Sequence, residues 1–579
     1  MKTVKRMSFA MHLLVIAAFL TVPIQSIAAD DVIARAMADE LARTSKQLVM
    51  PGMEPPYFVS YCIEDEFSAE IIATNGAIVE SNQKANRQFF VDVRVGDHKL
   101  DNSYFIGHWR DLFGRPMTMV EEDDYAGIRH QLWLYTDVAY KKALENLAGK
   151  KAYLASHPVT VEIPDFVAAE SRVVEDEPVD LALDLSFRQE QVDQASKALG
   201  AFAGLQEWQV ILQAEASNKR YLNSEGARFL KTRNRCMLEI SATALAADGQ
   251  RLTNFRRLLT VDPDEILSGD EIVKEAQTVA RELLEMAEAP ALDEYAGPVL
   301  FSECAAAQVI TQLFSGQLTP ARSPLMQEGW MRQYMPDAKL VRRVNRRVMP
   351  EFMHVTDDPT RELFDGVKLA GHRLVDDEAV ASQKIELIRA GRLVNLPMSR
   401  RPSKKIRSSN GHASLLDNQW IVPTVSSLFV ESDKTKTEAE LLTDLRKTAG
   451  EFGNEYGLLV KRLDRPEISS RYSWSTEQEA STELMTDPLI MYKVYVDDGR
   501  VEPVRGLTPD DITVRSLRDI IAIGDTVKAF NMLVSTSIQP DAYAVTVVTG
   551  SILIEDAGFK AVTSREPLPV STRPLVAAK

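Results

Sequence analysis

The chain has 579 residues, 26% of them charged, with 83 Asp and Glu against 67 Lys and Arg and a formal net charge of −16. That length is enough for several hydrophobic cores and about two to four domains. So acidic a chain is a poor ligand for a polyanion, which argues against nucleic acid as a partner, and its three separated cysteines, Cys62, Cys236 and Cys304, make no disulfide framework.

Lys2, Lys5 and Arg6 precede an apolar stretch, Leu13 to Val22, that is too short for a full membrane span. Ser26-Ile27-Ala28 then offers small residues at the usual cleavage offsets, so residues 1–29 read as an export signal cut near Ala28 or Ala29. No other apolar run is long enough to cross a bilayer. The expected mature chain is periplasmic or secreted, has no stable membrane insertion, and carries about −19 once those three cations are gone.

A helix is expected from Asp31 to Leu48, with Ile33, Met37, Leu41 and Leu48 on one side. Tyr57 to Ile63 and Ala69 to Thr74 read as strands, Asn75-Gly76 as a hairpin turn, and Phe89-Val91-Val93-Val95 alternates against Phe90, Asp92 and Arg94. A long helical region follows around Glu121 to Ala155, and then an acidic, irregular connection from about Val161 to Asp184. A helix from Gln189 to Leu199, the alternating strand Trp208-Val210-Leu212-Ala214, the turn Asn223-Ser224-Glu225-Gly226 and a strand around Met237 to Ala244 echo the first pass. That echo is the pattern of a distant duplication.

Ser268-Gly269-Asp270-Glu271 has the form of a capping box, and Ile272, Val273, Ala276, Val279, Ala280, Leu283 and Leu284 share one face, giving a helix from about 269 to 288. Pro290 and Gly297-Pro298 break the pattern. Val299-Leu300-Phe301 is a short apolar strand, and Glu303 to Phe314 returns to alanine-rich helix. Downstream come Asp357-Asp358-Pro359, Leu369-Ala370-Gly371-His372, Asp376-Asp377-Glu378, Met398-Ser399-Arg400 and Ser409-Asn410-Gly411-His412, then Pro423 to Val430. Tyr492 to Tyr495 with Asp498-Gly499-Arg500 reads as a strand and hairpin turn, with Val504-Arg505-Gly506 as the return. Ser551 to Glu555, followed by Pro567 and Pro569, closes the chain.

In that order these blocks resemble the TldD/PmbA family of modulator-of-gyrase proteins, also known as peptidase U62, over most of the chain. The resemblance implies an α+β fold in two parts. An N-terminal α/β-mixed domain, 30–290, spans both hairpin passes, and a strand-rich, mostly antiparallel C-terminal domain covers 291–579. Ala379 stands where the family pattern leads one to expect glycine. In the family's catalytic members the helix after the GPVLF strand carries an HExxxH zinc motif, and the matching residues here are Thr311 to Gly316. Thr311 and Gly316 take the histidine positions and Gln312 takes that of the glutamate.

A catalytic zinc needs about three protein ligands and an open site for water. A threonine hydroxyl is a poor zinc ligand, glycine offers no donor, and a neutral glutamine cannot accept a proton as a general base. The family's metal-binding members add a late cysteine, yet no cysteine here follows Cys304. His98, His108, His130, His157, His354, His372 and His412 never pair at ligand spacing. No zinc site, and hence no cofactor, can be drawn from the sequence.

The acid pairs Asp357/Asp358 and Asp376/Asp377/Glu378 have the chemistry of a calcium or magnesium site, but adjacent acids more commonly form a solvated turn or a helix cap. The basic stretch Arg400 to Arg407, with Ser408 to Gly411, reads as a mobile loop in which Arg400 is placed to clamp a peptide carboxylate or an acidic partner. Asn410 and His412, in a glycine-flanked polar loop, are the other candidates for peptide contact. No G-x-S-x-G, Walker loop or dinucleotide fingerprint points to another reaction, although a dispersed Ser/His/Asp triad is recognised only by geometry.

The leading expectation is a non-catalytic, metal-free, PmbA-like subunit that shapes a cavity for a peptide or unfolded polypeptide. The resemblance implies a TldD-like, HExxxH-bearing partner that supplies zinc, or else a homodimer. Two alternatives stay open: an active metallopeptidase with displaced ligands such as Cys304, His372 and His412, and a self-associating envelope scaffold with no proteolytic role.

Overall fold

In the computed structural model two long hairpins organise the N-terminal half. The structure describes residues 31–570 apart from 109–116, 158–161, 182–184, 263–264, 303, 319–323, 331–338, 417–419, 466–484 and 536–541. The export signal expected over 1–29, and Glu303, lie outside the described residues.

The first hairpin joins Pro56–Thr74 to Ala77–Val95 through Asn75 and Gly76, whose φ angles of 55° and 88° are those of the tight turn that favours Asn-Gly. The second joins Leu205–Asn223 to Arg228–Leu245. The inner strand of each lies antiparallel to the other, from Ser60 opposite Asn223 to Thr74 opposite Gln209, so both passes form one seven-stranded sheet. The sequence suggested two strands before Asn75; the structure has one. Alternation fades at Glu64 to Glu66 because these positions carry charge, and the charge is held across the strands: Asp65 pairs with Arg87 and Arg220, and Glu64 with Lys219.

Helices cover one face of this sheet. Helix α1 (Val32–Gln47), capped by Asp31, and α2 (Tyr125–Ser156), capped by Asp124, pack over Tyr61, Ile63, Val91 and Val93. Helix α3 (Ser186–Gly200) and α4 (Gly269–Glu288), the latter with its capping box formed by Ser268 and Glu271, cover Ile71, Val210, Leu212 and Leu238. Successive strand residues point to opposite faces, so the other face presents Cys62, Glu64, Lys219, Tyr221, Phe229 and Lys231. There Cys62, Tyr221 and Phe229 pack against Val375 and Ala379 of the C-terminal half.

The C-terminal half is strand-rich. Its larger sheet runs in the order Thr435–Lys436, Ile520–Gly524, Ile552–Ala561, Glu294–Phe301, Tyr456–Leu463, Pro488–Tyr495 and Val501–Val504, with Leu507–Asp510 added on Ile552–Ala561. A six-stranded sheet faces it, with Met353–Asp357, Ser427–Ser432, Ala542–Thr549 and Lys528–Ser535 at its middle and one edge. Most pairs are antiparallel, but Glu294–Phe301 lies parallel to Tyr456–Leu463, and Ser427–Ser432 parallel to Ala542–Thr549. Helix α5 (Cys304–Leu313) lies between the two sheets, while α6 (Glu438–Glu451) covers the outer face of the larger one. The fold is α+β, with helices grouped on the N-terminal sheet and mixed sheets after it.

Candidate functional site

Helix α5 begins Cys304-Ala305-Ala306-Ala307, and three alanines in succession give high helix propensity and a surface thin enough to lie between two sheets. Every residue from Ala305 to Thr311 is buried, as are Leu313 and Phe314. A helix closed in on all sides must satisfy its polar side chains internally.

They are satisfied by the protein itself. Thr311, 1% exposed, donates its hydroxyl to the Ala307 carbonyl at 2.7 Å. Gln312 uses both ends of its amide on Thr486: Oε1 accepts the Thr486 N–H at 2.8 Å and Nε2 donates to its Oγ1 at 2.9 Å. One turn earlier Gln308 does the same to Leu463, accepting its N–H at 2.8 Å and donating to its carbonyl at 2.8 Å. Gly316 sits exposed in the 3₁₀ turn Ser315–Gln317, where a Cβ would meet nothing within 4 Å. The three motif positions therefore do not fit zinc. One hydroxyl is turned back on its own helix, one amide is saturated, and one position has no donor. Gln308 was missed from sequence, and its signal was an amide repeated four residues before Gln312.

The cysteine and histidines proposed as displaced ligands do not come together. Cys304, half-buried, donates to the Lys461 carbonyl at 3.5 Å. On strand Lys528–Ser535, Met532 touches Thr311 of α5, while its neighbour Asn531 turns the other way to bond Ala370 and Lys368. The six-stranded sheet thus separates α5 from the loop that bears His372. Among the described residues no three of His, Cys, Asp and Glu are grouped so as to hold a metal ion.

His412 is fully buried. Its Nδ1 is 3.0 Å from the Asn410 carbonyl and its Nε2 lies 3.4 Å from Asp357 Oδ2, too long for a well-formed hydrogen bond. Burial alone would raise the Asp357 carboxyl, but His412 and the donors of Ser426 and Ser427 outweigh it and hold the group below its usual range. Ser426 donates its hydroxyl to Asp357 at 2.6 Å, so the serine meets the acid and not the imidazole, and this trio is no nucleophilic triad. Gly411 precedes His412 with φ of 74°, and a Cβ there would strike the Ala381 carbonyl at 2.2 Å; only glycine fits. Asn410 ties the same loop to the segment before it, accepting from Met398 N–H at 2.7 Å and donating to the Leu396 carbonyl at 2.8 Å.

Arg400 differs from its expected place on a mobile loop. The solvated stretch starts beyond it, at Lys404, whereas Arg400 is 1% exposed and crosses the seam between the two halves. Its guanidinium pairs with Glu225 at 2.7 Å, donates to the Val167 carbonyl at 2.9 Å and stacks 4.0 Å from the Phe166 ring centroid. Arg94 lies 3.9 Å from the same ring, so two buried guanidiniums share one aromatic partner. The acid pairs also differ from expectation. Asp357, Asp376 and Glu378 are buried acceptors, with Asp376 taking the N–H groups of Glu378, Val380 and Ala413 and Glu378 that of Arg400. Ala379, in the glycine position, adopts φ of 58°, the left-handed region that glycine favours.

Above these buried groups, between the N-terminal sheet and the loop 368–373, is a cavity of about 400 Å³. Asp377 anchors its floor, accepting Lys231 at 2.8 Å and lying 3.3 Å from Lys219. Burial would lift the Asp377 carboxyl, but the two ammonium groups drive it far down. Gly371 allows the loop to approach, since a Cβ would meet the Ser426 carbonyl at 2.0 Å, and the next two residues, His372 and Arg373, line the space. His372 Nδ1, Arg373 Nε and Asn234 Oδ1 are shielded polar atoms of this lining with no hydrogen-bond partner among the described residues. Three unmet groups around one cavity suit a polar ligand or ordered water.

A hairpin-built α+β half thus leads into a strand-rich half that buries an alanine-rich helix between its two sheets. Residues 294–561 match the model of the PmbA/TldA metallopeptidase C-terminal domain, so the C-terminal half of the chain belongs to the PmbA/TldD metallopeptidase family. Solved structures share the whole fold. A proposed modulator of DNA gyrase from Thermotoga maritima aligns over 91% of this chain and 99% of its own, with TM-score 0.58 and 14% identity. A second proposed gyrase modulator, from Bacteroides thetaiotaomicron, aligns over 93% and 100%, with TM-score 0.58 and 12% identity. TldE from Thermococcus kodakarensis aligns over 91% and 100%, with TM-score 0.55 and 12% identity. No curated protein sequence matches the chain.

Proposed function

We propose that this chain is a metal-free member of its family, a non-catalytic subunit whose seam cavity holds a peptide or unfolded polypeptide. A TldD-like, HExxxH-bearing partner then supplies zinc and the general base. The observation that carries this reading is Gln312, whose amide is engaged at both ends by Thr486 where a catalytic member has its glutamate. In this reading Arg400, Asn410 and His412 brace the walls of the cavity from behind, and His372 and Arg373 face the ligand. Export, with removal of residues 1–29, belongs to the same proposal.

Metal analysis and a peptidase assay on the purified chain test it. The expected result is no stoichiometric zinc and no cleavage by the chain alone, with cleavage appearing when a TldD-like partner co-purified from the native source is added. One tightly bound zinc per chain would overturn the reading.

A further inference from the structure

The 3₁₀ turns Lys339–Arg343 and Val514–Asp519 border a surface groove of about 250 Å³ on the C-terminal half. Leu340, Val348 and Val514 form its floor, and the first two are almost wholly buried. Its walls are Arg342, Arg343, Arg515 and Arg518, and no carboxylate lines it among the described residues. Asp519, the residue after Arg518, lies outside the lining, its carboxyl raised by burial and by Asp556. Among the described residues Arg343 and Arg515 make no side-chain hydrogen bond or ion pair, in a chain that carries an excess of 16 negative charges.

A guanidinium cannot shed its proton, so gathering several around one groove costs repulsion that an anion offsets. Its planar fork matches carboxylate and phosphate oxygens, while the aliphatic floor suits a short apolar body. The position is pointed as well. Lys339–Arg343 packs beside the turn that holds Gly316, at the end of α5 where the family's second motif histidine would stand.

We propose that this groove is an anion-binding site for a carboxylate or phosphate head on a short aliphatic body, the chemistry shared by an apolar peptide C-terminus and an alkyl phosphate. It needs no partner subunit, so it stands or falls apart from the zinc assay above. The test is calorimetric titration of the full chain at low salt with N-acetyl-leucine, hexanoate and hexyl phosphate, and with inorganic phosphate and neutral N-acetyl-leucine amide as controls. At least one aliphatic anion should saturate, about ten-fold tighter than inorganic phosphate, with no binding of the amide; the order among the three separates carboxylate from phosphate ligands. Arg343→Gln/Arg515→Gln, two exposed positions, should weaken binding about ten-fold or more with an unchanged circular dichroism spectrum, and Arg518→Gln alone should weaken it less. Absence of saturation by every aliphatic anion, equal binding of the amide, or undiminished affinity in the double variant would each refute the site.

Discussion

Gln312 and Thr486 are joined by a reciprocal pair of hydrogen bonds, 2.8 Å from the Thr486 N–H and 2.9 Å to its hydroxyl, that fixes α5 to the start of strand Pro488–Tyr495. A glutamate at this position keeps the shape but loses the donor. It would also face the Asp464 carbonyl, which the Gln312 amide reaches at 3.5 Å, in a region where burial already raises the Asp464 and Asp487 carboxyls. Gln312→Glu is therefore expected to cost about 1–3 kcal/mol at pH 8. The new carboxyl would have a folded pKa above its unfolded value, so the loss is absent below about pH 4 and grows as pH rises. Urea midpoints at pH 4 and pH 8 measure this, and the same loss at both would rule out charge as its cause.

Arg400 should be equally intolerant of change, for a different reason. Its guanidinium joins Glu225, the Val167 carbonyl and the Phe166 ring across the seam. Lysine keeps the charge but has neither the fork nor the flat face. Arg400→Lys is expected to lose about 2–4 kcal/mol, close to the loss from Arg400→Ala. Denaturant unfolding of both variants checks it; near-complete rescue by lysine would mean that charge alone matters.

Helices α1, α2 and α4 and the Asn75-Gly76 hairpin were legible because each carries a local signal, a cap, a 3.6-residue stripe or a turn dipeptide. The family blocks were legible too, since Gly371 and Gly411 mark places where only a bare backbone fits. The burial of Arg400, Asp357, Asp376 and Glu378 was not. Charge along a sequence reads as solvent-facing, and the partners that allow burial lie far off in the chain: for Arg400, Glu225 is 175 residues away and Val167 is 233. The seam cavity was hidden for the same reason, because Lys219 and Lys231 reach Asp377 only through the sheet pairing.

The three cysteines should separate cleanly by reactivity. Burial pushes the Cys62 thiol up to about 12 and that of Cys236 up to about 11, so neither forms much thiolate at pH 8. Cys304 is only half-buried, at the first turn of α5. Iodoacetamide at pH 8 is expected to label Cys304 in the native protein and the other two only after unfolding. Mass spectrometry of the labelled peptides reads this directly, and native labelling of Cys62 would contradict the packing between the two halves.

Adjacent acids at the seam should give stability slopes of opposite sign. Burial, and then the charge of Glu378, raise Asp376 to about 7, so this carboxyl favours the folded state below its unfolded pKa of about 4, and that contribution is lost as pH rises towards 7. Asp377 is the reverse. Lys219 and Lys231 overcome its burial and depress it, so its contribution is present above about pH 4 and is lost only as the solution becomes more acidic. Glu378→Gln removes the like charge beside Asp376 and should flatten the decline between pH 4 and pH 7 by roughly 1–3 kcal/mol. Asp377→Asn should instead lower stability throughout that interval, because two partly buried ammonium groups lose their shared partner. Urea unfolding of the wild type and both variants at half-unit steps distinguishes the two. A Glu378→Gln curve that runs parallel to the wild type would show that Asp376 is ionised in the fold at neutral pH, and that the seam tolerates both charges.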